Sequence, residues 1–139
     1  MGTPLCEAVI NGKYEAVECL LINGADVDRS NRYRMTALHI ACMNNDLDIA
    51  SLLLSYGADM HKQDSNNSVP ISRASSYEMI DLLVCNGFDF NDLNGCDGVI
   101  LHMYNVLSKR CSKKQLYIAY NMVAAKGMLA AIRYLYTIC

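Results

Sequence analysis

The pattern of apolar and polar positions along the chain is helical, and it repeats. Apolar side chains recur three or four residues apart in two stretches, represented by Val17, Leu20 and Leu21 in the first and Ile49, Leu52 and Leu53 in the second. This spacing puts them on one face of an α-helix and predicts a buried stripe. The motif Gly-Ala-Asp at residues 24–26 returns at 57–59, a step of 33 residues. Self-similarity at that period predicts a stack of repeated units.

Start and stop signals delimit two helices in each unit. Thr3 and Thr36 precede apolar stretches and can cap a helix N-terminus through the hydroxyl, and Pro4 suits a first helical position. Gly24, Gly57 and Gly87 follow the leucine-rich runs, where glycine commonly ends a helix in the left-handed conformation. Each unit is therefore predicted to be helix, tight turn, helix and a polar, hairpin-like finger.

The motifs resemble those of the ankyrin repeat over residues 2–98. Gly-Thr-Pro-Leu at residues 2–5 and Met-Thr-Ala-Leu-His at 35–39 are similar to the family's Thr-Pro-Leu-His opening, and Gly-Ala-Asp to its closing motif. The resemblance implies an all-α ankyrin-repeat solenoid of stacked helix-turn-helix units with hairpin-like fingers. We expect a single domain, 1–139, with units at about 1–29, 30–62, 63–91 and 92–111 and a divergent C-terminal unit at 112–139.

Two parts of the repeat pattern are irregular. In the third unit Val69 and Gly87 are 18 residues apart, where Thr36 and Gly57 are 21 apart, so three residues are missing. The missing residues predict a short first helix or a tightened turn. Val69 also replaces the capping threonine, so we expect the locally weakest unit here. The first unit has no preceding finger, so we expect either an excised segment or a bare N-terminal repeat.

Composition and charge argue against several other functions. The formal net charge of −2 gives no general electrostatic case for binding nucleic acid. The longest apolar stretch, 119–139, is interrupted by Asn121, Lys126 and Arg133, so membrane insertion is not expected. The seven cysteines contain no Cys-x-x-Cys motif, which favours free thiols in a reducing compartment, cytoplasm or nucleus, and predicts no metal site.

No residue pattern predicts catalysis. His39 stands at the fourth position of the opening motif, where the resemblance implies a structural hydrogen bond to the next finger, and His102 stands at the equivalent place of the fourth unit. His61 is expected on an exposed finger. Because none of the three has a nucleophile or carboxylate partner at a recognisable spacing, we predict no enzyme activity, no cofactor and no small-molecule substrate.

The resemblance implies recognition of a protein partner, of unknown identity, by the concave face and fingers. Aromatic, Arg and Met side chains are enriched in the cores of interfaces, so the segment 29–35 is the strongest candidate, with ordinary solvated finger residues as the alternative. The predicted partner-binding residues are Arg29, Arg32, Tyr33, Arg34, Met35, Met43, Asn44, Ser65, Asn66, Ser68 and Ser76.

A basic run at residues 109–114 has three interpretations: a solvated loop, a nuclear localisation patch or a contact with an acidic partner. Just before it, residues 106–111 faintly resemble the Leu-x-x-x-Cys core of an elongin-binding box, which in ankyrin and SOCS-box proteins recruits a cullin ubiquitin ligase. The alternative function is therefore a substrate-recognition or targeting segment of a larger regulatory protein, such as a ligase receptor.

Overall fold

The computed structural model describes residues 3–74 and 76–88, together with Lys109 and Ser112. Within these residues the protein is helical and contains no strand, which confirms the predicted all-α class. The elements are α1 (Pro4–Ile10), α2 (Tyr14–Ile22), α3 (Ala37–Met43), α4 (Leu47–Ser55), a 3₁₀ helix (Pro70–Arg73) and α5 (Tyr77–Cys85).

The helices pack in two layers. In the inner layer α1 packs on α3, and α3 packs on the 3₁₀ helix; in the outer layer α2 packs on α4, and α4 on α5. Each inner element also packs against the outer helix that follows it in the chain. The repeat pattern therefore produces three successive helix-turn-helix units, of which the third has a 3₁₀ helix in place of its first α-helix.

The predicted helix signals act as expected. Thr3 caps α1 by accepting a hydrogen bond from the backbone N–H of Cys6 at 3.1 Å, and Pro4 is the first helical residue. Two caps were not predicted: Asp46 caps α4 by accepting from the N–H of Ile49, and Ser76 caps α5 by accepting from the N–H of Met79. After the outer helices, Gly24, Gly57 and Gly87 have φ of 87°, 82° and 97°, which is the left-handed region that glycine tolerates best.

The third unit is shortened as predicted. Its first element is a single four-residue 3₁₀ helix, held by backbone hydrogen bonds from Ser72 to Val69 and from Ala74 to Ile71. Val69 occupies the N-cap position and supplies no side-chain hydrogen bond. Three missing residues leave no room for the two turns that α1 and α3 make before the connection to the outer helix.

The buried stripe differs from the prediction in one respect. Val17 and Leu21 of α2 and Ile49 and Leu53 of α4 are buried. The other two predicted stripe residues are only half-buried: Leu20 and Leu52. The apolar spacing alone did not show which of the neighbouring leucines faces the inner layer.

Units 1 and 2 differ in the burial of their corresponding residues. Ile40 and Ile49 of the second unit are buried, whereas Glu7 and Ala16, which stand one period earlier, are exposed. The first unit has no unit packed against that side among the described residues. At these positions the first unit has a polar and a small side chain where the second unit has isoleucines.

The chain divides into two compact units, 1–88 and 89–139, and all the elements above belong to the first. The predicted fourth unit, at 92–111, and the divergent unit at 112–139 lie outside the described ranges, apart from Lys109 and Ser112. Their boundaries and the single-domain assignment stay predictions. Among the helices that are described, none is long and apolar enough to cross a membrane.

Candidate functional site

The first finger, residues 29–35, is shaped by one side chain. The Oδ1 atom of Asn31 accepts hydrogen bonds from the backbone N–H groups of Tyr33 at 2.9 Å and Met35 at 3.1 Å. The backbone of Asn31 also donates to the carbonyl of Met35 and accepts from the N–H of Arg34, both at 2.9 Å. These bonds close a tight loop and hold its tip, residues 32–34, in a fixed conformation.

The second finger, residues 62–68, repeats this geometry with a charged residue. Asp64 stands one period after Asn31, and its Oδ1 accepts from the N–H groups of Asn66 at 2.8 Å and Ser68 at 3.0 Å. Its Oδ2 pairs with the guanidinium of Arg73 at 2.8 Å. Burial alone would raise the pKa of Asp64, but the hydrogen bonds from Arg73, Ser68 and Asn66 outweigh it and hold that pKa below its ordinary value.

The two fingers are joined side by side. The N–H of Ser65 donates to the carbonyl of Tyr33 at 2.9 Å, so the tips are linked directly. At their bases, the carboxylate of Asp28 accepts from the N–H of Asp59 at 2.8 Å, and Lys62 donates to the carbonyl of Asp28 at 2.7 Å. The fingers therefore present one continuous surface.

His39 connects the second finger to the helical layer. Its Nδ1 lies 3.1 Å from the backbone N–H of Thr36 and must accept that bond, so Nε2 carries the proton and donates to the carbonyl of Ser68 at 2.9 Å. The ring is fully buried, and this burial lowers its pKa against the opposing effect of the Ser68 bond. The structural role predicted for this histidine is confirmed. The neutral ring with its proton on Nε2 is the form that makes both hydrogen bonds.

The tip of the first finger is basic and aromatic. The guanidinium carbon of Arg32 lies 4.7 Å from the centroid of the Tyr33 ring, and Arg32 Nη2 donates to the Tyr33 hydroxyl at 2.6 Å. Tyr33 remains 52% exposed. The side chains of Arg29, Arg32 and Arg34 are all exposed, and none forms an ion pair with any other residue that the structure describes. This segment therefore carries three cations available to a partner.

Arg34 has an unusual backbone conformation. Its φ is 59°, in the left-handed region, and Asn67, at the same position of the second finger, has φ 58°. Asparagine visits this region readily, whereas a long side chain such as arginine does so at an energetic cost.

The inner helices α1 and α3 each end in an exposed apolar side chain. Met43, the last residue of α3, is 50% exposed, and Ile10, the last residue of α1 and one period earlier, is 49% exposed. The Nδ2 of Asn44 lies 3.5 Å from the carbonyl of Val9, which brings the ends of the two helices together. Ile10 was missed in the sequence analysis, although its position one period before Met43 was the available signal. We call the two fingers, together with Ile10, Met43 and Asn44, the finger face.

The structure places most of the predicted partner-binding residues on this surface. Exposed are Arg29, Arg32, Tyr33, Arg34, Met43, Asn44, Ser65 and Asn66; half-buried are Met35, Ser68 and Ser76. Ser76 lies apart from the fingers, at the start of α5, where its hydroxyl donates to Asn45 at 2.6 Å. Their role in binding stays a prediction.

The described part of the chain contains no group of His, Cys, Asp and Glu that could hold a metal ion. Its four cysteines are free: Cys6 and Cys42 are buried, and Cys19 and Cys85 are exposed. Burial raises the pKa of the Cys42 thiol to about 12, so this sulfur is a core atom and not a nucleophile.

Comparison with known proteins gives a consistent result. The chain is 33% identical over 84 residues to "Ankyrin repeat and SOCS box protein 5" of Homo sapiens, covering 60% of this chain and 25% of that protein. It is 39% identical over 66 residues to "Protein phosphatase 1 regulatory subunit 27" of Homo sapiens, covering 48% and 43%. It is 36% identical over 84 residues to "Potassium channel AKT1" of Oryza sativa subsp. japonica, covering 59% and 9%. The matched segments span less than half of each relative.

Residues 5–94 match the family described as "Ankyrin repeats (3 copies)". The matched range contains the stacked helix-turn-helix units and both fingers. The chain therefore belongs to the ankyrin-repeat family.

Proposed function

We propose that this protein is a protein-binding module that holds its partner on the finger face, without catalysis of its own. Ankyrin repeats are protein–protein interaction modules, and the family is generally non-catalytic. The observation that carries the proposal is the tip of the first finger, where exposed Arg32 and Tyr33 stack on each other while Asn31 fixes the backbone below them. Arginine and tyrosine held in a defined conformation are typical anchors of protein interfaces.

The experiment is affinity capture with the intact chain from a cell lysate, followed by measurement of affinity for each purified partner. Replacing Arg32 and Tyr33 together by Ala should weaken binding by ~2–4 kcal/mol, as expected for two anchor residues. A matched control replaces Lys13 and Tyr56, an exposed cation and an exposed tyrosine away from the fingers. Equal binding by wild type and finger variant, with intact helical circular dichroism, would contradict the proposal.

The second candidate is recognition of substrates for a cullin ubiquitin ligase. It is favoured by the similarity to a protein named for its SOCS box and by the resemblance of residues 106–111 to part of an elongin-binding box. Co-expression with elongins B and C tests it: a stable complex that is lost on replacing Leu107 and Cys111 by Ala would support this candidate. Absence of any complex would remove it.

We also propose that the protein works in the cytoplasm or nucleus. The support is chemical: the four described cysteines are unpaired, and free thiols persist where the environment is reducing. Imaging of the tagged chain in cells tests this placement.

A further inference from the structure

Charge is unevenly distributed over the described residues. The first finger, 29–35, contains three arginines and no carboxylate. The outer helices have the opposite composition, with no Lys or Arg in α2, α4 or α5 and five acidic residues: Glu15, Glu18, Asp48, Glu78 and Asp81. An anionic ligand is therefore attracted to the finger and repelled by the outer layer.

The carboxylates nearest in sequence to the finger are already engaged. Asp26 accepts from the N–H of Asp28 at 3.0 Å, and Asp28 accepts from the N–H of Asp59 at 2.8 Å. None of the three arginines forms an ion pair with another described residue. The backbone of Arg34 is in the left-handed region, which asparagine would occupy at lower cost.

The helix α3 separates Met43 from the end of the first finger. The finger leads into the N-terminus of α3, and Met43 is the last residue of that seven-residue helix. Seven helical residues span about 10 Å. An extended peptide covers about 10 Å with three residues. A short extended segment can therefore span α3, from the end of the finger to Met43.

We propose that the finger face binds an acidic segment of its partner. Carboxylates of this segment pair with Arg29, Arg32 and Arg34, and an apolar side chain about three residues away lies against Ile10 and Met43. This inference rests on the proposed function and specifies the partner's chemistry: an extended peptide with a cluster of Asp or Glu followed or preceded, at that spacing, by a large apolar residue.

The test is fluorescence anisotropy of the full chain with a labelled peptide that has three glutamates, a short Gly-Ser spacer and Leu-Phe. Replacing Arg29, Arg32 and Arg34 together by Gln should weaken binding about tenfold, since three exposed charge pairs are lost. Replacing Ile10 and Met43 by Ser should weaken it by a smaller factor. Raising the salt from about 0.1 M to about 1 M should weaken binding to wild type, because the Debye length falls from about 10 Å to about 3 Å.

Lys13→Gln is the matched control, since it removes an exposed cation outside the finger face and should leave the affinity unchanged. A peptide with Gln in place of each Glu should bind wild type as weakly as the acidic peptide binds the triple variant. This peptide exchange keeps the test decisive even if the triple variant does not fold.

Three results would overturn the inference: equal affinity for the Glu and Gln peptides, equal affinity of wild type and triple variant, or tighter arginine-dependent binding of a single-stranded oligonucleotide. The proposed function fails separately. Suppose that the Arg32/Tyr33 double variant no longer binds a partner protein, while wild type does not bind the Glu peptide. The proposed binding function is then supported, and only the inference of an acidic partner segment is wrong.

Discussion

At the scale of single residues, the repeat fixes the backbone while the side chain varies. Gly12 and Asn45, one period apart, have φ of 64° and 54°, and Arg34 and Asn67, also one period apart, have 59° and 58°. Asn31 and Asp64 shape their fingers with the same pair of backbone hydrogen bonds. The local conformation therefore limits which side chains fit such a position, and a residue that fits poorly is held there at an energetic cost.

Arg34→Asn should stabilise the protein. Asparagine tolerates the left-handed region, so relief of the backbone cost should raise the free energy of unfolding by up to about 1 kcal/mol. Urea denaturation measures this change. Arg32→Asn is the matched control, since Arg32 has no positive φ, and it should give no gain. Equal effects of the two substitutions would show that the strain at Arg34 is negligible.

His39 should make stability depend on pH in the mildly acidic range. Its folded-state pKa lies below the ordinary value of 6.5, so the unfolded chain takes up the proton first as the pH falls. Stability is therefore full above 6.5 and declines below it, by at most about 1.4 kcal/mol per pH unit for one group. Denaturation of wild type between about pH 7 and pH 5 should show this slope.

The His39→Gln variant should be less stable at every pH, because the bonds to Thr36 and Ser68 are lost, and its stability should change less over that range. His61→Gln is the matched control, since it removes a histidine and leaves the buried ring of His39 in place. A slope that survives in the His39 variant would assign the pH dependence to another group.

At the scale of elements, the third unit shows how a deletion changes a repeat. α1 and α3 are seven-residue α-helices with Thr3 and Thr36 at their N-caps, whereas the third unit has a four-residue 3₁₀ helix and no side-chain cap. Ile71 and Ala74 are nevertheless buried, so the segment still completes the inner layer. Packing against α3 keeps in place an element with little intrinsic helical stability.

Hydrogen exchange should identify this unit as the first to open. The amides of Ser72 and Ala74 donate 3₁₀ bonds of 3.0 and 3.1 Å within a four-residue element and should exchange faster than those of α3. Amide-resolved exchange by NMR measures the order. The helix α1 is the internal comparison, since it is the other inner element at an end of the described stack, and earlier exchange there would contradict the prediction.

At the scale of the whole described unit, burial divides its cysteines into two classes. Cys6 and Cys42 lie in the inner layer with no exposed surface, while Cys19 and Cys85 lie exposed on the outer helices. The same layering separates the basic finger from the acidic outer helices. The reactivity of each cysteine thiol toward a reagent in solution therefore shows whether the stacked helices are folded.

Alkylation with iodoacetamide should modify Cys19 and Cys85 rapidly and leave Cys6 and Cys42 protected until the unit unfolds. Cys42 is protected twice, by burial and by a pKa of about 12 that leaves almost no thiolate near neutral pH. Mass spectrometry of the digested protein resolves each site. Denatured protein is the control, in which all four should react; rapid labelling of Cys42 in the folded protein would disprove the assignment of this helix to the core.

The sequence alone determined the repeat, the starts of α1 and α3, the glycine stops of the outer helices and the shortened third unit, and its resemblance to the family implied the role of His39. These features depend on local backbone preferences and on a fixed period, both of which can be read along the chain. It also indicated the first finger, because Arg and Tyr cluster there. The tertiary structure alone decided which of two neighbouring leucines is buried, that the Ser76 hydroxyl bonds to Asn45, and that Ile10 is exposed like Met43. These depend on the stacking of units, which brings residues one period apart into contact.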